Sequence, residues 1–479
     1  MSLDLTSPEW SLFVPQFIIF VTATVLLLGD AFIPKARQYS ALTAISLIGY
    51  AAAAIALIWQ QGQDEATFDG LFSSDGLTVF LTLTILVAAV LTVVTSASYV
   101  ERLEGRMPLG EYYVLVAFAT LGATLVAGAG DMVILFIGIE LTSLATYVLA
   151  AFAVRRATSL EGALKYFLLG SFASGILLWG MAWIYGATAS TNLSVIGQQL
   201  ADVVSGQDNL EASLLFGMLL IVVGVGFKMA AVPFHFWTPD AYDGAPTPVT
   251  GYMSAIPKIA AFAAAIRLLV QGLAPLRDDW EIVIAVLALI TMVFGNVVAV
   301  VQRDVKRMLA YSSIAHTGYI LAGLAAYETI GGTGFSGAAS DDGVSSVLYY
   351  LLAYTVMNIG AFAVIAWVQH RGPGLTLDDL SGLAKNNVLA ATAMAIFMIA
   401  LMGLPPTIGF YAKYYVIVAL IRDELLWLAI AIVLMSAVSA FFYLRVVAVM
   451  FFNEPVHEER EFSARPTPLL NVSIGAMAV

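Results

Sequence analysis

The sequence predicts an all-α polytopic membrane protein with about fourteen transmembrane helices. Its 479 residues are 60% hydrophobic and only 11% charged, whereas soluble domains carry about 25% charged residues. The apolar residues form long blocks, including residues 11–29, 40–60 and 280–301, each close to the roughly 20 residues that cross a bilayer as a helix. Related segments also recur along the chain, which indicates an internal repeat.

Breaks at polar, glycine and proline residues divide the chain into thirteen complete spans and a short fourteenth block. Residues 1–110 hold the first three spans. The last block is too short to cross a bilayer, so residues 453–479 are interpreted as the start of a C-terminal helix, and we expect the natural chain to continue. The predicted cores are residues 11–29, 40–60, 76–98, 111–129, 131–153, 160–187, 211–239, 247–272, 280–301, 307–327, 344–369, 388–420, 424–452 and 467–479.

The basic residues predict the orientation of these helices. The loops on one face of the membrane carry thirteen basic residues, whereas the loops on the other face contain only Arg277 and Arg422. Because basic loops stay in the cytoplasm, we expect an outside N-terminus and cytoplasmic odd-numbered loops. The net charge of −12 is attributed to loop acids that solvate the two faces. The loops after predicted helices 1, 3, 5, 9, 11 and 13 carry Lys35, Arg37, Arg102, Arg106, Arg155, Arg156, Arg303, Lys306, Arg307, Arg371, Lys385, Arg460 and Arg465.

The repeat unit spans five predicted helices. Residues 139–152 resemble residues 311–324, and the same offset of 172 residues aligns Pro233 with Pro405. The unit is therefore helices 4–8 (residues 111–272), repeated as helices 9–13 (residues 279–452). Because five is odd, the second copy is predicted to lie inverted in the membrane, as in many transporters.

Prolines interrupt equivalent helices of the two predicted repeats. Pro233 lies within helix 7, and Pro405 and Pro406 lie within helix 12. Proline breaks or kinks a helix, and membrane proteins tolerate this where the freed backbone faces protein or water. One such proline is more often a packing kink, but the aligned pair favours a functional centre.

Four charged residues fall in the middle of predicted spans. They are Glu140, Lys228, Lys258 and Lys413. One charge at the bilayer centre costs about 2.5–3.5 kcal/mol, so these side chains are expected to face a protein interior, with Glu140 and Lys228 as an ion pair. The alternative is a static pair or snorkelling. Since a buried lysine changes its protonation and arginine does not, the set favours ion translocation.

Other polar residues leave alternatives open. Lys165 fits both snorkelling and a pathway role, and His316 fits both a satisfied core histidine and a proton relay. His235 follows Pro233 and is a candidate to line an access route. Arg267 and Arg445 lie near span ends and are expected to snorkel. Asp240 and Asp243 are interpreted as turn residues.

The composition excludes several kinds of site. The chain has no cysteine, which excludes disulfides and thiolate-bound metal or iron–sulfur centres. Its four histidines lie far apart, and it has neither a dinucleotide nor a nucleoside-triphosphate binding loop. We therefore expect no metal or cofactor in this chain, and no redox active site.

Several motifs resemble one family. GFKMAAVPFHFWTPDAYDGAPTPVTGYMSAIPKIA resembles the signature of the antiporter-like membrane subunits of respiratory complex I and of Mrp cation/proton antiporters. IELTSLATYVLAAF and LMGLPPTIGFYAKYY are similar to the subunit N type of the proton-pumping NADH:quinone oxidoreductase. The M type has glutamate where Lys413 stands here, and the L type is much longer. The resemblance covers essentially the whole chain.

The resemblance implies a function. Glu140, Lys228, Lys258 and Lys413 match the family's translocation residues, and Lys165 matches a lysine of helix 6. The implied protein is a bacterial inner-membrane subunit that moves protons beside M-, K- and J-type neighbours. NADH, quinone, flavin and iron–sulfur clusters then bind in other subunits, and nucleic acid has no role. The alternatives are a subunit of a stand-alone Mrp-type antiporter and a structural spacer that moves no ion.

Overall fold

A computed structural model describes residues 8–102, 109–206, 212–327, 342–369 and 375–455, together with a few positions between 474 and 478. Apart from turns and loops, the described chain is helical, with one hairpin of two short strands, β1 (Glu65–Thr67) and β2 (Phe72–Ser74). The helices are α1 (Val14–Phe32), α2 (Lys35–Trp59), α3 (Gly76–Arg102), α4 (Leu109–Ala127), α5 (Met132–Ala150), α6 (Ala157–Thr188), α7 (Leu193–Gly206), α8 (Ala212–Met229), α9 (Trp237–Gly244), α10 (Thr247–Ala265), α11 (Arg277–Val301), α12 (Val305–Ala325), α13 (Asp342–Val368), α14 (Leu383–Asn386), α15 (Val388–Met402), α16 (Ile408–Arg422) and α17 (Leu426–Phe452).

The predicted fold class is confirmed. Among the described residues, eleven helical segments are long and apolar enough to cross a membrane. The count of fourteen helices and the inverted repeat stay predictions, and most of the block at residues 467–479 lies outside the described residues.

Two elements were not predicted from the sequence. One is the β1–β2 hairpin, in which Glu65 pairs with Ser74. The other is α7, an amphipathic helix that buries Leu193, Ile196 and Leu200 on one side. Both are too short to cross a membrane, so a search for long apolar blocks passes over them.

The prolines predicted to interrupt helices lie between pairs of short helices. Pro233 lies between the end of α8 and the start of α9, and Pro405 and Pro406 lie between α15 and α16. The residue directly after the first helix of each pair has a left-handed backbone, Ala230 with φ 64° and Gly403 with φ 85°. Both breaks therefore begin with a sharp reversal of the chain one residue after a helix end.

Helices at the centre of the bundle are buried almost all round. α10 continues into the π-helical turn Ile266–Gly272, and 94% of the residues in the most apolar stretch of this segment are buried. The corresponding fraction for α13 is 89%. The outer helices α1, α2, α6 and α17 leave one side uncovered. That side carries apolar groups suited to lipid, including Leu28, Ile55, Phe172, Trp179 and Phe441.

The prediction that Arg267 snorkels is wrong. Its side chain is 0% exposed and makes a two-pronged ion pair with Asp75, at 2.7 and 2.8 Å. Its guanidinium also donates to Thr78 Oγ1 and to the carbonyl oxygen of Ala127. Because Asp75 directly precedes α3, far away in sequence, the arginine binds inside the protein instead of reaching the membrane surface. Arg445 is half-buried and donates to carbonyls at the end of α11.

Candidate functional site

Glu140 and Lys228 lie together inside the bundle. Lys228 Nζ is 3.4 Å from Glu140 Oε1, 2.8 Å from Ser143 Oγ and 3.3 Å from Tyr147 OH. Ser174 of α6 donates a hydrogen bond to the same Glu140 oxygen. Charge-assisted bonds of this kind are typically 2.7–2.9 Å long. The ion pair is therefore loose, and a hydroxyl is the nearest partner of the lysine.

The local helices account for this arrangement. Glu140, Ser143 and Tyr147 are three and four residues apart on α5, so they share one face of that helix. Lys228 lies in the last turn of α8, directly before the chain break. The end of a helix dipole carries partial negative charge there, which favours a cation.

Lys258 on α10 is held by hydroxyl and carbonyl groups. Its Nζ donates to the carbonyl oxygen of Ser313 at 2.7 Å and to Ser313 Oγ at 2.8 Å. It lies 4.7 Å from the ring centre of Tyr354, whose hydroxyl donates to the same Ser313 Oγ. Within the described part of the chain, no carboxylate forms an ion pair with this lysine. Its charge is therefore balanced by dipoles and an aromatic ring.

His316 on α12 lies between Lys258 and Lys413. One ring nitrogen is 2.8 Å from Tyr350 OH and the other 3.1 Å from Tyr443 OH. Its ring packs on Tyr354 on one side and Tyr319 on the other, with ring centres 5.2 and 5.7 Å apart. Both nitrogens have hydroxyl partners, so the ring can take a proton on one side and release one on the other.

Lys413 lies close to the second helix break. Its Nζ donates to the carbonyl oxygen of Met402, the last residue of α15, at 2.8 Å. It lies 4.9 Å from the ring centre of Tyr319, the same tyrosine that packs on His316. Lys413 therefore binds the carbonyl end of a broken helix, a common cation position in transporters.

A row of aromatic side chains joins the surroundings of Lys228 to those of Lys258. Tyr147 packs edge-on against Tyr166, and Tyr166 stacks on Trp237, with ring centres 4.5 and 4.1 Å apart. Trp237 packs against Tyr242, whose hydroxyl is 3.5 Å from Ser313 Oγ. This row was not predicted from the sequence, although Tyr242 lies within the PDAY segment.

Two other candidate residues, Lys165 and His235, lie apart from the Glu140–Lys228 pair and from Lys258, His316 and Lys413. Lys165 is 43% exposed and pairs with Glu161 and Asp240, each at 2.7 Å. His235 is buried against Phe294, with ring centres 4.6 Å apart. Within the described residues, its Nδ1 has no hydrogen-bond partner.

Asp240 is more than a turn residue. Its two oxygens bind Lys165 at 2.7 Å and Arg307 at 3.0 Å. Burial by itself raises the pKa of Asp240, but the hydrogen bonds from Lys165 and Arg307 outweigh burial and hold the pKa below its ordinary value. Burial and the nearby Asp304 raise the pKa of Asp243. The carboxylate of Asp240 is therefore charged at neutral pH, and it links α6 to α12.

Lys306, assigned from the sequence to the loop after predicted helix 9, lies in the first turn of α12. Its side chain is fully buried, and its Nζ donates to the carbonyl oxygens of Asp243 and Ala245, at 2.8 and 2.7 Å. These carbonyls lie at the end of α9, where helix carbonyls lack partners within the helix. Lys306 therefore caps α9.

No metal centre is evident in the described ranges, where no three histidine, aspartate or glutamate side chains lie close enough to hold an ion.

Comparison with known proteins places the chain among membrane subunits of redox complexes. A family model described as NADH:quinone oxidoreductase/Mrp antiporter matches residues 129–439. NADH-quinone oxidoreductase subunit N 2 of Roseiflexus castenholzii is 44% identical over 94% of this chain and 89% of its own length. Subunit N of Chloroflexus aggregans is 42% identical over 98% of this chain and 92% of its own length. A chain of respiratory complex I from Thermus thermophilus superposes with a TM-score of 0.79 and 32% identity, covering 97% of this chain and 95% of that one.

Proposed function

The chain belongs to the subunit N family of NADH-quinone oxidoreductases, and on this basis we propose that it is a proton-translocating subunit of the membrane arm of such a complex. The names of its relatives favour this function over a stand-alone Mrp-type antiporter, although the family description covers both. The chain is a subunit of an enzyme through this complex, and we assign the redox centres to other subunits.

The observation that carries the proposal is the loose Glu140–Lys228 pair at 3.4 Å, in which Lys228 is buried and Glu140 is 23% exposed. The same bundle also encloses Lys258 and Lys413. Each buried charge costs several kcal/mol in a bilayer, and a structural spacer gains nothing from it. The lysines rest on hydroxyl and carbonyl groups, which can hold either the charged or the neutral amine. An arrangement of this kind suits side chains that change protonation.

The proposed route passes the three lysines in chain order. A proton reaches Lys228 from the cytoplasmic side, where the distance to Glu140 sets how firmly the amine holds it. It passes by way of the hydroxyl groups around Ser313 to Lys258, then by His316 to Lys413, and leaves on the outer side. Quinone reduction elsewhere in the complex drives the cycle by changing the separation of Glu140 and Lys228.

The proposed setting is the bacterial inner membrane, with the N-terminus outside and the basic loops in the cytoplasm. The proposed neighbours are the M-, K- and J-type membrane subunits. NADH, quinone, flavin and iron–sulfur clusters are assigned to other subunits, so this chain holds no cofactor.

The test is proton pumping by the intact complex in sealed vesicles. Lys228→Ala and Glu140→Gln are expected to lower the number of protons moved per NADH oxidised. The matched control is Lys385→Ala, which removes an exposed lysine paired with Glu454 and is expected to pump normally. Undiminished pumping by either test variant would overturn the proposal.

A further inference from the structure

The short helix α9 lies where the two predicted repeats meet. It follows the break after Lys228 and packs on α6 and on α12. On the α6 side the backbones nearly touch, because a methyl group at Gly162 would lie 2.5 Å from the carbonyl oxygen of Asp240. A methyl group at Gly244 would lie 2.4 Å from the carbonyl oxygen of Thr158. Only glycine permits this approach, so α9 is packed closely against one helix of the first repeat.

Ionic contacts fix α9 to both neighbours. Asp240 binds Lys165 of α6 through one oxygen and Arg307 of α12 through the other, at 2.7 and 3.0 Å. The other charged groups beside it include Glu161, which pairs with Lys165, and Asp243, which lies 3.7 Å from Arg307. Lys306 of α12 also donates to the carbonyl oxygens of Asp243 and Ala245 at the end of α9. Of these carboxylates, Asp240 is the one that joins α6 to α12.

The other side chains of α9 reach the buried lysines. Trp237 Nε1 donates to the carbonyl oxygen of Phe227 at 3.2 Å, beside Lys228 in the chain. Its ring stacks on Tyr166, which packs on Tyr147, and Tyr147 OH accepts a hydrogen bond from Lys228.

One turn further along α9, Tyr242 OH lies 3.5 Å from Ser313 Oγ, the hydroxyl that accepts from Lys258. The same short helix therefore contacts the surroundings of both lysines. A shift of α9 changes the distance that a proton has to cover between them.

We infer that Asp240 is a positioning residue for proton transfer from Lys228 to Lys258, because its carboxylate holds α9 between Lys165 and Arg307. This inference rests on the proposed function. Loss of the negative charge removes the ionic tie between α9 and Lys165 of α6, while Lys306 and the Asp243–Arg307 contact still hold α9 to α12. The aromatic row between the lysines then loses its alignment. The low pKa of Asp240 keeps this contact intact at neutral pH.

The test compares three variants of the intact complex in vesicles, with NADH oxidation and proton uptake measured together. Asp240→Asn keeps the shape and removes the charge. It is expected to lower the number of protons that this subunit moves per NADH oxidised by about two- to fivefold. That range corresponds to the energy of a partly exposed ion pair. Asp240→Glu is expected to restore most of the loss. The matched control Glu161→Gln removes a carboxylate from the same Lys165 without touching α9, and is expected to behave like the wild type.

The outcomes separate this inference from the proposed function. Normal pumping by Asp240→Asn, alongside failure of Lys228→Ala, overturns the inference and leaves the function standing. An equal loss in Asp240→Asn and Asp240→Glu also overturns it, because shape rather than charge then matters. Normal pumping by Lys228→Ala overturns the function itself. A fall in NADH oxidation that matches the fall in proton uptake indicates damaged assembly, and counts against the positioning role.

Discussion

Asp75→Asn is expected to destabilise the protein strongly, although the two side chains have nearly the same shape. Arg267 is 0% exposed and donates to both oxygens of Asp75, at 2.7 and 2.8 Å. Asparagine removes the charge and places an amide donor against guanidinium donors. Removing one partner of a buried ion pair typically costs about 3–5 kcal/mol, because the other charge stays buried and unpaired. We expect a loss of that size in the free energy of unfolding.

The double variant Asp75→Leu/Arg267→Met is expected to recover part of this loss, because it removes both charges. It still loses the hydrogen bond from Thr78 N to Asp75, a helix cap worth about 1 kcal/mol. It also loses the bonds from Arg267 to Thr78 Oγ1 and to the Ala127 carbonyl oxygen. Unfolding by titration with SDS in mixed micelles, followed by tryptophan fluorescence, gives the three free energies. A single variant as stable as the wild type, or a double variant no better than the single, would refute the reasoning.

The pH dependence of the same pair has a definite sign. Burial by itself raises the pKa of Asp75, but the Arg267 guanidinium and the hydrogen bonds it donates outweigh burial and lower that pKa. The stabilisation is therefore fully present above about pH 4, the ordinary value for aspartate. It is expected to disappear as the pH falls further through the lowered value, and Asp75→Asn should abolish this dependence.

Two further predictions concern the site. Gly162→Ala is expected to push α9 away from α6, because the new methyl group meets the Asp240 carbonyl oxygen at 2.5 Å, and pumping should fall. Gly186→Ala on the same helix has open space around it and should pump normally. Ser143→Ala removes the shortest hydrogen bond of Lys228, at 2.8 Å, and Tyr147→Phe a longer one, at 3.3 Å. A bond to a charged group contributes about 1.5–3 kcal/mol, so the serine variant should pump more slowly than the tyrosine variant, and the reverse order would contradict the geometry.

Much of the fold was predictable because membrane helices are encoded locally. The predicted span at residues 131–153 becomes α5, Met132–Ala150, and that at residues 344–369 becomes α13, Asp342–Val368. The role of Arg267 was not predictable, since its partner Asp75 is 192 residues away along the chain. A single arginine near a helix end looks the same in sequence whether it snorkels or is buried.

The charged residues of the site were predictable, and their partners were not. Buried charge is rare enough in a membrane helix to mark Glu140 and Lys228 from sequence alone. Ser174 and Tyr354 are ordinary in such helices, and only the packing of α6 and α13 shows what they contact. Asp240 was misjudged because a PDAY turn explains an aspartate without any partner.

The central claim is that buried lysines carry protons by changing their charge. Comparing Lys413→Arg with Lys413→Met in the reconstituted complex tests it directly. Arginine keeps the positive charge and can still donate to the Met402 carbonyl oxygen, the acceptor of Lys413, but it stays protonated. We predict that both variants move fewer protons per NADH than the wild type and by a similar amount. Normal pumping by Lys413→Arg, with loss only in Lys413→Met, would show that a fixed charge suffices and would contradict the claim.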